Sequence, residues 1–113
     1  MGRLSTHVLD TANGKPAAGM RIELRVPDRD VGGRFLTNVD GRTDGPVVDG
    51  VPLSIGTYRF DFYVGDYFRS VGSADAGKFL DVVPIVFVVS DPHANYHVPL
   101  LVSPWAYSTY RGS

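Results

Sequence analysis

The chain has 113 residues, 43% of them hydrophobic and 20% charged, with a formal net charge of -1 at pH 7 and no cysteine. One domain spanning 1–113 fits that length, mixed charges without a basic run exclude nucleic acid and anionic membrane as partners, and the lack of cysteine excludes disulfides and thiolate metal sites. No apolar run approaches the roughly 18 residues of a membrane span, and no apolar export signal follows Met1-Gly2-Arg3, so a cytoplasmic protein is the default expectation unless a leader has been removed.

Leu4-Ser5-Thr6-His7-Val8-Leu9-Asp10 reads as a strand, ended by the Asn13-Gly14 turn and Pro16. Ile22, Leu24 and Val26 then alternate with Arg21, Glu23 and Arg25, the period of a half-buried strand, and Pro27 stops it. A third strand, Arg34 to Val39, closes on Asp40-Gly41, where glycine accepts the positive φ of a tight turn, and Arg42 therefore falls on a loop. Asp44-Gly45-Pro46 and Asp49-Gly50 mark a turn-rich connection with room for one short strand.

Thr57 to Val64 is a core strand, with Tyr58, Phe60, Phe62 and Val64 set against Arg59, Asp61 and Tyr63. Asp66 to Val71 is the one predicted helix, ended by Gly72, with Asp66 able to cap it. Val82 to Val89 is apolar on both faces, so another chain or another part of this one is expected to cover the second face. Pro84 has no amide hydrogen and belongs at that strand's start or on a sheet edge. Two last strands, 96–103 and 106–111, flank Pro104. Chain ends usually fray, yet residues 96–113 hold a tryptophan, three tyrosines and an arginine, a composition expected to be buried or to line a site for a small polar molecule. Seven or eight short strands and one short helix predict an all-β, antiparallel sandwich, an architecture that does not itself fix function.

The two ends carry a more specific signal. Leu4-Ser5-Thr6-His7-Val8-Leu9-Asp10 with Gly14-Lys15-Pro16-Ala17 resembles the opening motif of the transthyretin-like family that hydrolyses 5-hydroxyisourate. Tyr96-His97-Val98-Pro99-Leu100-Leu101 and Tyr107-Ser108-Thr109-Tyr110-Arg111-Gly112-Ser113 resemble its closing motif, and Thr37-Asn38-Val39-Asp40-Gly41-Arg42 and Gly56-Thr57-Tyr58 match in order between them. The resemblance covers essentially the whole chain. It departs at Phe79-Leu80-Asp81, which lacks a usual proline, and at Ala106, where glycine is usual. It implies a transthyretin-like β-sandwich, a homotetramer built as a dimer of dimers with sites between dimers, and no cofactor or metal. The implied reaction opens the N1–C6 amide bond of 5-hydroxyisourate to give 2-oxo-4-hydroxy-4-carboxy-5-ureidoimidazoline in urate breakdown.

On that resemblance His7, Arg42, His97 and Ser113 are the catalytic candidates, and Tyr110 and Arg111 the substrate-binding ones. An imidazole titrates near neutral pH and suits moving a proton from water. Either histidine could be the base. Arg42 offers a fork of donors for an anionic ring or a developing oxyanion, and Ser113 a hydroxyl and a terminal carboxylate able to fix a histidine tautomer. His93 and His97 have the i, i+4 spacing of a helical zinc pair, but in extended chain four residues span roughly 13 Å, too far for one metal. No Gly-x-Ser-x-Gly elbow is present for serine hydrolysis. The rival functions are a transthyretin-like carrier of an aromatic ligand in the same channel, and an adhesive sandwich module that should remain monomeric.

Overall fold

A computed structural model describes residues 2–112. Nine strands and one helix follow in chain order: β1 (Gly2–Asp10), β2 (Lys15–Pro16), β3 (Arg21–Val26), β4 (Arg29–Leu36), β5 (Val48–Val51), β6 (Gly56–Tyr63), α1 (Val64–Ser70), β7 (Val82–Val89), β8 (Asn95–Val102) and β9 (Tyr107–Thr109). They form two sheets, one ordered β2-β1-β8-β9 with β5 also on β1, the other β4-β3-β6-β7. The predicted β-sandwich with one short helix is the observed fold. The ninth strand is the two-residue β2, too short for any periodicity to reveal. All pairings are antiparallel except β1 with β8, which run parallel.

Alternation along β1 decides what each face can do. Leu4, Thr6, Val8 and Asp10 point inward, while Arg3, Ser5, His7 and Leu9 point out. The inward set meets Ile22, Leu24, Phe60, Phe62, Val83 and Leu100 in one core, where each large side chain contributes roughly 1.5–3 kcal/mol relative to its exposed state. Asp10 is a buried charge inside this apolar layer. It accepts hydrogen bonds from the Asn13 amide at 2.9 Å, from Asn13 Nδ2 at 2.7 Å and from the Tyr67 hydroxyl at 2.7 Å. Burial alone would raise its pKa, but the bonds from Asn13 and Tyr67 hold the carboxyl below its ordinary value. The same bonds tie α1 to the end of β1.

The helix begins at Val64, two residues before its expected start, because the apolar β6 pattern runs directly into it. Asp66 lies within the first turn instead of capping it, and accepts from Arg69 Nη2 at 2.7 Å. No described helix is long and apolar enough to cross a membrane.

β7 is an edge strand, which accommodates Pro84 without breaking a ladder. Its inner residues Val83, Ile85 and Val89 are buried, whereas Val82, Val86 and Val88 are 42%, 61% and 62% exposed. No described part of the chain covers that outer stripe. The loop between β8 and β9 tolerates Ala106, since no described non-glycine residue has positive φ. Ser103 Oγ closes that turn by accepting from the amides of Trp105 and Ala106 at 3.2 and 3.1 Å.

Candidate active site

The parallel ladder between β1 and β8 sets Ser5 beside His97 and His7 beside Pro99, so both imidazoles stand half-buried on the outer face of one sheet. Arg42 reaches that face through a loop built for close approach. Gly41 has φ 75°, and a Cβ there would lie 2.3 Å from the Val8 carbonyl oxygen, so glycine alone fits. The Val8 amide donates to the Gly41 carbonyl at 2.8 Å, and His7 and Arg42 form an isolated β-bridge. Asn38 holds the loop from within, its Oδ1 accepting from the amides of Asp40 at 2.9 Å and Arg42 at 3.2 Å. An Asx turn of this kind fixes the backbone before any ligand arrives.

Hydrogen bonding distinguishes the two histidines. His7 Nε2 lies 2.9 Å from the Asp40 carbonyl oxygen. A carbonyl only accepts, so His7 carries a proton on Nε2 and donates it to that oxygen. His97 Nδ1 lies 2.8 Å from the Ser5 hydroxyl, a group that can donate or accept. Burial, the Arg42 guanidinium and His7 all press the His97 pKa below its ordinary 6.5, which keeps this ring neutral at physiological pH. The far side of the His97 ring is closed by Gly112, where an added Cβ would meet Cδ2 at 2.5 Å, and the Gly112 amide donates to the His97 carbonyl at 2.7 Å.

Arg3, Ser5, Arg42, Asn95 and His97 line one shallow groove on this face. It is cationic and contains no carboxylate. Arg42 is exposed and makes no ion pair among the described residues. An unneutralised guanidinium beside two imidazoles can hold a planar anion, stabilise an oxyanion and move a proton.

His7, Arg42 and His97 are thus brought together. Tyr110 and Arg111 line a separate groove between β7, β8 and the end of the chain, with Val86, Val88 and Tyr96. Arg111 stacks its guanidinium 4.4 Å from the centre of the Tyr96 ring and donates to the Asn95 carbonyl at 3.0 Å. Ser113 lies outside the described residues. His93 is an exposed loop residue whose amide bonds Asp91 Oδ1, and among the described residues no three His, Asp or Glu cluster as metal ligands. Sequence reasoning assigned no role to Ser5, Asn38 or Gly112. The alternation of β1 puts Ser5 on the same face as His7, which was a usable signal; the roles of Asn38 and Gly112 depend on tertiary contacts that no period displays.

A family model described as the HIUase/Transthyretin family matches residues 4–112. The chain is similar to 5-hydroxyisourate hydrolase 2 of Rhizobium meliloti strain 1021, with 51% identity covering 99% of this chain and 97% of the relative. Among solved structures it superposes on an (S)-allantoin synthase with TM-score 0.93 and 48% identity, covering 99% of this chain and 44% of that longer one. It also superposes on the Klebsiella pneumoniae 5-hydroxyisourate hydrolase, with TM-score 0.83 and 32% identity over the full length of both. Transthyretin of Sparus aurata shares the fold at TM-score 0.79 but only 25% identity, over 97% of this chain and 96% of that one.

Proposed function

This chain belongs to the HIUase/Transthyretin family, and from that membership we propose how its cationic groove performs the hydrolysis. The protein is a 5-hydroxyisourate hydrolase acting in urate breakdown. Full-length identity of 51% to a hydrolase, against 25% to a transthyretin, decides between the two branches of the family. The carrier reading also leaves the paired imidazoles without a task.

The substrate ring lies against Arg42, whose guanidinium takes its negative charge or the C6 carbonyl oxygen. A neutral histidine removes a proton from water as the water oxygen bonds to C6. The C6 oxygen becomes an oxyanion beside the guanidinium, and the tetrahedral carbon then expels N1. N1 receives the proton that the histidine has held, so the N1–C6 bond is replaced by a C6 carboxylic acid and an N1–H, the acid gives up its proton to solvent as the carboxylate, and the ring opens to 2-oxo-4-hydroxy-4-carboxy-5-ureidoimidazoline. General acid–base assistance of this kind supplies roughly 10²–10⁴-fold in rate, and a well-aimed oxyanion donor a comparable factor. The observation that carries the mechanism is the meeting of His7, His97 and Arg42 in a face where none has a carboxylate partner among the described residues.

The working unit in this reading is a homotetramer. The bare valine stripe of β7 is a surface that a second copy would cover, and Tyr110, Arg111 and Ser113 would serve a site shared between copies. The decisive experiment follows the ultraviolet decay of freshly generated 5-hydroxyisourate with protein of known size by gel filtration. We expect a four-chain particle that speeds the decay catalytically. A folded tetramer giving the buffer rate would sink the mechanism, and a fully active monomer would sink the shared site.

A further inference from the structure

We propose that Ser5 is a positioning residue that fixes the tautomer of His97, holding the proton on Nδ1 and leaving Nε2 as the base that activates water. The proposal rests on the hydrolase reading and deepens it by choosing between the two histidines. Ser5 makes no chemical step of its own.

Three observations lead there. The Ser5 hydroxyl is 2.8 Å from His97 Nδ1, and this is its one side-chain hydrogen bond among the described residues. Ser5 and His97 are register partners in the parallel ladder, so the contact is imposed by two strands and not by a mobile loop. Gly112 packs against Cδ2 on the other edge of the ring, closing the space into which the imidazole could rotate. A ring confined at Nδ1 and Cδ2 has one orientation, and only its tautomer remains to be set.

Proton logic supplies the direction of the bond. When Nε2 takes a proton from water the ring becomes an imidazolium, and its Nδ1 must then be a donor. If Ser5 donated to Nδ1 in the resting state, that hydroxyl would have to turn round during the step. If it accepts from Nδ1–H throughout, nothing reorganises, and the developing charge strengthens the bond. A hydroxyl also suits this place better than the carboxylate that orients histidine in many hydrolases. A carboxylate at position 5 would lie in the same groove as Arg42 and neutralise the charge that receives the anionic substrate. Serine fixes the tautomer and leaves the groove cationic.

The test compares wild type, Ser5→Ala and Ser5→Thr by nitrogen-15 NMR of the His97 ring without substrate, and by kcat and KM with 5-hydroxyisourate. Wild type and Ser5→Thr should show the Nδ1–H tautomer, and Ser5→Ala a mixture or the reverse. Losing one hydrogen bond that becomes charge-assisted should lower kcat of Ser5→Ala roughly ten- to a hundredfold with KM nearly unchanged, and threonine should restore most of it. A wild-type ring protonated on Nε2, a Ser5→Ala enzyme with undiminished kcat, or a kcat loss without any change of tautomer each overturns the proposal. A wild type that does not hydrolyse the substrate condemns the functional reading alone, because the nitrogen shifts judge the Ser5 bond independently of turnover.

Discussion

The two sheets expose outer faces made by the same strand alternation, and they use arginine in opposite ways. On β3, β4 and β6 the charges are closed among themselves. Asp61 lies 3.4 Å from Arg25 and 3.1 Å from Arg59, Glu23 accepts from the Tyr63 hydroxyl at 3.1 Å with Arg34 3.9 Å away, and Arg21 sits 3.8 Å over the Tyr63 ring. On the β1–β8 face Arg3 is paired with Asp49 at 3.5 Å, but the charges around the two histidines are left open. Arg42 has no carboxylate among the described residues, His7 is met by a carbonyl and His97 by a hydroxyl. A surface ion pair satisfies its own members and contributes little. A cation held by backbone beside two imidazoles is satisfied only by something that arrives.

That contrast breaks first, and most visibly, on the open face. Replacing His7, Arg42 or His97 by Ala should lower kcat/KM roughly 10²–10⁴-fold while changing stability by no more than about 0.5 kcal/mol, because each side chain is on the solvent side of its sheet. Steady-state assays paired with urea melts check both halves. Normal turnover in all three variants would return these residues to ordinary surface status.

The closed face should behave the other way. Arg25 and Arg59 are directly opposed across β3 and β6, and Asp61, whose side chain is 10% exposed, lies between them. Asp61→Ala removes a carboxylate that both guanidiniums share and should cost about 1–2 kcal/mol, a figure held down by the screening of the half-exposed guanidiniums. The urea midpoint should fall with kcat unchanged. A large kcat loss with intact stability would mean that this face too belongs to the chemistry.

The closed face and the core were readable because they follow a period. Ile22, Leu24, Phe60 and Phe62 lie inward where alternation put them, and Pro84 marked an edge strand. The open face was readable only in part. His7, Arg42 and His97 were singled out by resemblance to a family, while their convergence depends on the parallel β1–β8 register and on the Gly41 turn, which are contacts between distant segments. The helix start was misplaced for a local reason: a strand that flows into a helix without a cap gives no boundary signal. Arg111 was grouped with the site by its place in the closing motif, whereas within one chain its guanidinium stacks on the Tyr96 ring, a tertiary contact between the segment after β9 and the start of β8 that a linear motif does not express.

The smallest expected effect is the most specific to the contrast, because it measures what an unpaired Arg42 does to its neighbour. Burial is the first cause holding the His97 pKa below 6.5, with Arg42 second and His7 third. Arg42→Gln removes only the second, so NMR titration should find the His97 pKa raised yet still below 6.5. The stability consequence has a definite sign. With a native pKa below the unfolded one, the unfolded chain binds more protons in the window between them, so stability falls as pH drops through that window and is unaffected above it. Arg42→Gln narrows the window and should therefore lose less stability than wild type on acidification from pH 6.5, while the difference between the two proteins stays constant at higher pH. An unchanged His97 titration would show that the guanidinium is turned out to solvent and does not act on the imidazole it adjoins.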